Sequence, residues 1–323
     1  MQGLVTVFGG SGFVGVQVVR ALAKAGWRVR VAVRRPGVAY RMRMLGDVGQ
    51  IELVQANVRN AASVARALAG AEACVNAVGQ AFESGRQRFL AVHHMGAKTV
   101  AEAAAAAGIT KYVHLSGIGA DEAAESRYAR SRGLGESATR EAMPSAVILR
   151  PSVIFGPEDH FFNSLAEIAS LAPAIPLFGG GHARFAPVYV ADVAAAAAKA
   201  LADPAAAGRT YELGGPATYT FRELEEIVLA QIGRDKPLIP LPFAVAGLIG
   251  TAFDILTGIV PIAPLITADQ VLLLKSDNVP APGAPGLADL GITPTALESV
   301  VGTYLYRYRR GGQFAELTAA AQR

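Results

Sequence analysis

Apolar and polar positions alternate in blocks through the first half of the chain. Short runs rich in Val, Ile and Leu recur at Leu4–Phe8, Arg28–Val33, Ile51–Val54, Ala73–Val78, Tyr112–Leu115 and Ala146–Leu149. Between them lie stretches with helical spacing, clearest at Gly12–Ala25, Ala61–Ala69, Arg86–Ala107 and Ala123–Ala142. Strands that alternate with helices of this length predict a parallel sheet with helices on both faces. The strands are apolar at nearly every position, as burial on both faces requires. Beyond Pro151 the pattern becomes irregular and rich in Pro and Gly, with helices expected at Phe161–Leu171, Ala191–Leu201, Phe221–Ile232 and Thr295–Tyr304. Asp192 reads there as a helix cap. Pro-Ala-Pro-Gly-Ala-Pro-Gly at 280–286 suits neither helix nor central strand and reads as a surface linker. The expected architecture is an α/β, doubly wound parallel sheet with a smaller, mostly helical C-terminal lobe. The first domain is expected over 1–150 and the lobe over 151–323, interleaved with the sheet.

Composition narrows the classes. The 323 residues are 52% hydrophobic and 17% charged, which excludes a disordered chain. A single cysteine, Cys74, permits neither an internal disulfide nor a Cys-rich zinc site, and no metal is expected. The chain opens on an apolar strand without a signal or transit pattern, so a cytoplasmic place is the expectation. The net charge of +4 is unevenly spread: residues 1–45 carry eight Lys/Arg and no acid before Asp47. Such a block suits nucleic acid or a small phosphorylated ligand. Basic residues mixed with aromatics recur only near the end of the chain, which opposes nucleic acid.

The first strand runs into Gly9-Gly10-Ser11-Gly12-Phe13-Val14-Gly15, which opens a helix. In this setting the glycines serve a dinucleotide: Gly9 permits the turn, Gly12 the approach of a pyrophosphate, Gly15 close helix packing. The diphosphate then faces free N–H groups at the helix N-terminus. The second strand ends in Arg34-Arg35, where an NAD-selective site places an acid about 20 residues past the glycines. Arginines there suit a 2′-phosphate, so NADPH is expected over NADH. Asn57-Val58 and Ala77 with Gly79 follow the third and fourth strands and are candidates for the adenine and ribose.

Ser116 ends the fifth strand, and Tyr128 and Arg132 lie one helical turn apart on the helix after it. With the glycine turn, these resemble the extended or atypical branch of the short-chain dehydrogenase/reductase superfamily, which implies a Rossmann fold. The resemblance implies a Ser, Tyr and Lys group, with tyrosine as general acid/base. Here Arg132 stands in the lysine position, and His93 occupies the position where the superfamily often has asparagine. The expected catalytic residues are therefore Ser116, Tyr128 and Arg132, as a working or a vestigial set, and Pro151 passes the nicotinamide. Leu149-Arg150-Pro151-Ser152-Val153-Ile154-Phe155-Gly156-Pro157 and Pro187-Val188-Tyr189-Val190-Ala191-Asp192-Val193-Ala194 resemble later segments of the same branch.

A narrower resemblance runs along the chain through Gly46-Asp47-Val48-Gly49-Gln50, Ser126-Arg127-Tyr128, Gly135-Glu136, Phe162-Asn163-Ser164 and Leu290-Gly291-Ile292. These are similar to the NAD(P)-binding accessory subunit of respiratory complex I and its bacterial relatives. That resemblance implies a tightly held, largely structural NADPH. It implies partners in complex I or quinone biosynthesis, on the cytoplasmic face of the inner membrane. The alternative is an active NADP-dependent oxidoreductase or epimerase on a carbonyl or sugar-like substrate. Phe243–Val260 is apolar but short, bounded by prolines, and carries Asp254, so it is not read as a membrane span. It either packs on its own lobe or meets a bilayer or hydrophobic partner. Tyr304-Leu305-Tyr306-Arg307-Tyr308-Arg309-Arg310 suits a headgroup region or a solvated helix end.

Overall fold

The computed structural model describes residues 3–248, 250–251 and 267–312. The chain forms two compact units. The first takes residues up to Pro151, then Val190–Leu213 and Pro280–Thr293. The second takes Ser152–Tyr189, Gly214–Val279 and the residues from Pro294 onward. The chain thus leaves the first unit where composition changes, at Pro151, but returns to it twice.

The first unit is built on seven strands: β1 (Leu4–Phe8), β2 (Arg28–Val33), β3 (Ile51–Gln55), β4 (Ala73–Asn76), β5 (Lys111–Leu115), β6 (Val147–Pro151) and β7 (Thr210–Leu213). Their order is β7-β6-β5-β4-β1-β2-β3, all parallel, with Val5 opposite Val29 on one side and Ala73 on the other. This is the doubly wound order, which reverses beside β1 and opens a crevice at the strand ends there. Every residue of β1 is buried, and the one polar member, Thr6, donates its hydroxyl to Ala67 O at 2.9 Å.

Helices α1 (Phe13–Lys24), α2 (Ala61–Leu68), α3 (Met95–Ala106), α4 (Arg127–Ala142) and α6 (Val190–Ala202) cover the sheet. α1 packs with α6, and α3 packs with α2 and α4. α1 buries Gly15, Val18, Val19 and Leu22, a stripe at helical spacing. Asn60 caps α2 by accepting from Ser63 N–H. The helix expected from Ala123 starts instead at Arg127, because Ser126 caps it by accepting from Ala129 N–H. The helix expected over Arg86–Ala107 begins with a wide π turn at Leu90–His94 before α3. Asp192 is not the cap of α6 but lies inside its first turn, where an acid still complements the helix dipole.

The proline-rich stretch is more than a linker. Pro285 O accepts from Glu212 N–H, and the Glu212 carboxylate accepts from Ala281 N–H, each at 2.8 Å. It therefore lies along the outer side of β7, the end strand, where a segment poor in N–H groups discourages further strand pairing.

The second unit contains α5 (Phe161–Leu171), α7 (Phe221–Ile232) and the helix Glu298–Leu305 around an aromatic core of Phe155, Phe162, Phe185 and Phe221. α7 starts on a capping box between Thr220 and Glu223 and ends on Gly233 in the left-handed region. Of the helix expected over Phe243–Val260, residues 243–248, 250 and 251 are helical; 249 and 252–260 lie outside the described residues. Tyr304, Arg307 and Arg309 are engaged within this unit, with Asp159, Asn163 and Gln231 O respectively. Tyr306, Arg307 and Arg310 remain exposed, so the cluster is partly held within the unit and partly open to solvent. Among the described residues no helix is long and apolar enough to cross a membrane.

Candidate nucleotide-binding site

The glycine turn sits at the C-terminal end of β1. Gly9 adopts φ +74°, and a Cβ there would stand 2.7 Å from Ala77 O. A Cβ on Gly15 would stand 2.1 Å from Gly9 O, so Gly15 closes the helix onto the turn itself rather than onto the strand. Gly10, not singled out by sequence reasoning, is equally tight: its Cβ would meet Val31 Cγ1 at 2.7 Å. Gly12 is different. Its Cβ would touch only Gly9 O, at 3.4 Å, so the fold leaves it room and any need for glycine there comes from outside the chain. Gly12 caps α1 without a side-chain bond, and the first turn, Phe13 and Val14 included, holds no acid. Free N–H groups at the start of a twelve-residue helix thus face outward at a topological switch point, and this cradle fits an anionic diphosphate.

Beside it lies a cavity of about 510 Å³ lined by Ser11, Val33, Arg34, Arg35, Val38, Ala39, Arg41 and Met42. Arg34, Arg35 and Arg41 are exposed, and no ion pair engages any of them among the described residues. Arg41 was missed by sequence reasoning. It follows a proline and a glycine in a segment with neither helical nor strand period, and only its membership of the acid-free N-terminal block signalled it. Asn57 and Val58 also have local contacts: Asn57 Oδ1 accepts from Arg59 N–H at 3.1 Å, and Val58 packs against Gly96.

The other end of the crevice holds Ser116, Tyr128, Arg132, Gly79 and Pro151. β5 and β6 bring Ser116 and Pro151 together: Ser116 N–H donates to Leu149 O at 2.8 Å, and Pro151 O accepts from Ile118 N–H at 3.0 Å. Tyr128 reaches the same place, since a Cβ on Gly117 would lie 3.8 Å from its hydroxyl and from Pro151 O. Arg132 is buried. Its Nη1 donates to Leu115 O at 3.0 Å, its Cζ lies 5.3 Å from the Tyr128 ring centre, and its Nη2 fills the space beside Gly79. A Cβ on Gly79 would stand 2.5 Å from that nitrogen. Arg132 Nε and Ser116 Oγ are both buried and find no hydrogen-bond partner among the described residues. Two orphaned polar atoms at the mouth of a nucleotide fold suit a hydroxyl-bearing ligand.

Two neutral histidines flank this cation. His93 Nε2 accepts from Gln80 N–H at 3.1 Å, so its proton sits on Nδ1, which donates to Ser131 Oγ at 2.9 Å. Ser131 Oγ passes the bond on to Tyr128 O at 2.8 Å. Burial, then the Arg132 charge, lowers the His93 pKa to about 2. Asn76 Oδ1 accepts from Val78 N–H, which turns the Asn76 amide nitrogen toward His114 Nδ1 at 3.3 Å. The same two causes, in the same order, lower His114 to about 3. The π turn before α3 is what swings His93 inward to this position.

A parallel sheet in this order, with a glycine-bordered helix N-terminus at its switch point, defines an NAD(P)-binding fold. The model of the NAD dependent epimerase/dehydratase family matches residues 5–214, and the chain belongs to that family. It is 34% identical over 314 residues to the mitochondrial NADH dehydrogenase [ubiquinone] 1 alpha subcomplex subunit 9 of Arabidopsis thaliana, covering 95% of this chain and 78% of the relative. It is 37% identical over 194 residues to a ceramide reductase of Caulobacter vibrioides, covering 60% of this chain and 59% of the relative. The crystal structure of an NADPH-dependent quinone oxidoreductase from Escherichia coli, complexed with NADPH, superposes with a TM-score of 0.72 at 22% identity, covering 93% of this chain and 99% of that one.

Proposed function

We propose that the chain holds NADP(H) as a largely structural cofactor and serves as an accessory or assembly subunit of a respiratory NADH:quinone oxidoreductase or of quinone metabolism. The observation that carries this reading is the engagement of Arg132. In the family pattern a lysine ammonium at that position is a compact, mobile donor. Here a planar guanidinium is pinned between Leu115 O, the Tyr128 ring and the Gly79 backbone. A group fixed by three neighbours holds a ribose well and relays protons poorly. Arg34, Arg35 and Arg41 would take the 2′-phosphate, the α1 N-terminus the diphosphate, and Arg132 with Ser116 the nicotinamide ribose. When bound, NADP(H) supplies hydride chemistry; the chain's residues position it and exclude water. The likeness to a complex I subunit over nearly the whole chain supports the assembly role. Attachment to the cytoplasmic face of the inner membrane would then run through that assembly.

A second reading is favoured by the retained Ser116 and Tyr128 and by the likeness to a ceramide reductase. It is an active NADP-dependent oxidoreductase or epimerase on a carbonyl or sugar-like substrate. One experiment separates the two. The nucleotide released from the purified protein is identified and counted, and NADPH oxidation is followed against a panel of carbonyl compounds. The first reading expects near-stoichiometric NADP(H) and no turnover. Steady turnover abolished by Tyr128→Phe transfers the chain to the second reading, and bound NAD(H) at equal affinity overturns the cofactor assignment.

A further inference from the structure

The segment between β2 and β3 does more than line the nucleotide cavity. Pro36–Val38 and Tyr40–Leu45 form two 3-10 turns. With three residues per turn, side chains three apart share a row. Ala39 and Met42 are buried and Leu45 continues their inner row. The outer rows are then Tyr40 with Arg43 and Arg41 with Met44, each pairing a large apolar group with a cation. The next turn is braced from below. Buried Gln50 donates its amide to Ala23 O at 2.7 Å and Trp27 O at 3.0 Å, and accepts from Asp47 N–H at 2.9 Å. Gly49 takes φ +78° to close the turn, and Val48 stands fully exposed at its tip.

Val38, Tyr40 and Met44 are likewise 77%, 59% and 78% exposed. A chain gains roughly 1.5–3 kcal/mol by burying a side chain of this size, so four left outward in one segment call for an external partner. The composition says which kind. Outside the nucleotide cavity the segment offers Tyr40, Arg43, Met44 and Val48, with Asp47 as its one acid and no lysine or glutamate. Tyr, Met and Arg without Lys or Glu is the composition of a protein–protein contact. Bilayer-surface segments instead combine basic residues with Trp, Phe and Leu, and the only one here, Leu45, lies in the inner row.

We infer that the outer side of segment 40–48 is a docking surface for a protein partner whose apolar depression receives Val48 and Met44, with a carboxylate beside it for Arg43. The inference rests on the reading of this chain as a subunit of a respiratory NADH:quinone oxidoreductase, and the partner is a subunit of that assembly. Tyr40, Arg43, Met44 and Val48 do not line the nucleotide cavity, so they separate docking from cofactor binding.

The test is co-purification of the full chain with the membrane-extracted oxidoreductase of its own cells, tagged on another subunit. Wild type, Val48→Asp, Met44→Glu and Arg43→Ala are compared, and NADPH titration checks that each is folded. The expected result is co-purification of wild type, a loss of at least tenfold for Val48→Asp and Met44→Glu, a smaller loss for Arg43→Ala, and unchanged NADPH affinity. Wild-type recovery of the variants overturns the docking surface while the assembly reading stands. Absence of wild type from the purified complex overturns both. Binding to phosphatidylglycerol–phosphatidylcholine vesicles that Val48→Asp abolishes gives the surface to a bilayer. A dimer dissolved by Val48→Asp gives it to a second copy. Either result overturns the inference.

Discussion

The two ends of the nucleotide crevice use the same side chain under opposite conditions. Arg34, Arg35 and Arg41 stand in water around an open cavity. Arg132 is buried against a strand carbonyl, an aromatic ring and a glycine, and no carboxylate pairs with it among the described residues. An exposed, unpaired guanidinium costs the fold almost nothing and is available to a ligand. A buried one is expensive, and its charge reaches its neighbours through a weakly screening interior. The first end is thus suited to choosing the nucleotide, and the second imprints itself on the protein.

The largest expected effect falls on the buried end. His93 and His114 are neutral in the fold down to about 2 and 3, whereas free imidazoles protonate near 6.5. Below about pH 6.5 the unfolded chain takes up protons that the folded chain refuses. Stability therefore falls as pH drops through the window from 6.5 to about 3, by about 1.4 kcal/mol per pH unit for each histidine fully within it. Chemical denaturation between pH 7 and 4.5 should show this slope, and His114→Asn should about halve it, since His93 remains. A flat profile in wild type would mean the histidines are not held neutral.

At the open end, Arg34→Glu with Arg41→Glu should weaken NADPH by about a hundredfold, as lost charge-assisted hydrogen bonds require, and leave NADH and the melting temperature nearly unchanged. Calorimetric titration with both nucleotides measures it; equal losses for the two would erase the contrast between the ends. Gly12→Val sharpens the same contrast. The fold has room for a Cβ at this position, so the protein should still fold while both nucleotides lose binding together. A smaller effect is expected from Arg132→Met. Without the cation, both histidine pKa values should rise, seen as shifted imidazole titrations by NMR, and NADPH should weaken by about tenfold through the ribose contact. The smallest is Tyr128→Phe: NADPH affinity within about twofold of wild type, because one neutral hydrogen bond contributes little net free energy. A large loss there would show that the phenol holds the cofactor.

Much of the sheet was legible because its strands are continuous apolar runs and its glycines follow β1 directly. The glycine turn, Ser116, Tyr128 and Arg132 could be singled out for the same reason: their spacing is local. Arg41 was not, since its place in the cavity depends on two 3-10 turns with no apolar period. The π turn that carries His93 was hidden because it leaves a sequence that still reads as uninterrupted helix from Arg86. The turn that the Asn57 side chain closes did not show in a reading by position, because its partner is the backbone of Arg59. The return of Val190–Leu213 to the sheet was the least visible feature, because pairing β7 to β6 is a contact over some sixty residues of sequence.

That return has a consequence for synthesis on the ribosome. β6 remains an unpaired edge until Leu213 has been made, and the strap along β7 is completed only when Pro285 has followed. The nucleotide half of the molecule therefore cannot mature while the rest is still being translated, although its glycine turn emerges first. A chain stopped at Pro151 would present a bare apolar strand to its neighbours. Quality control has a long interval in which to act on this protein, and a nucleotide that engages the early turn would be present throughout it.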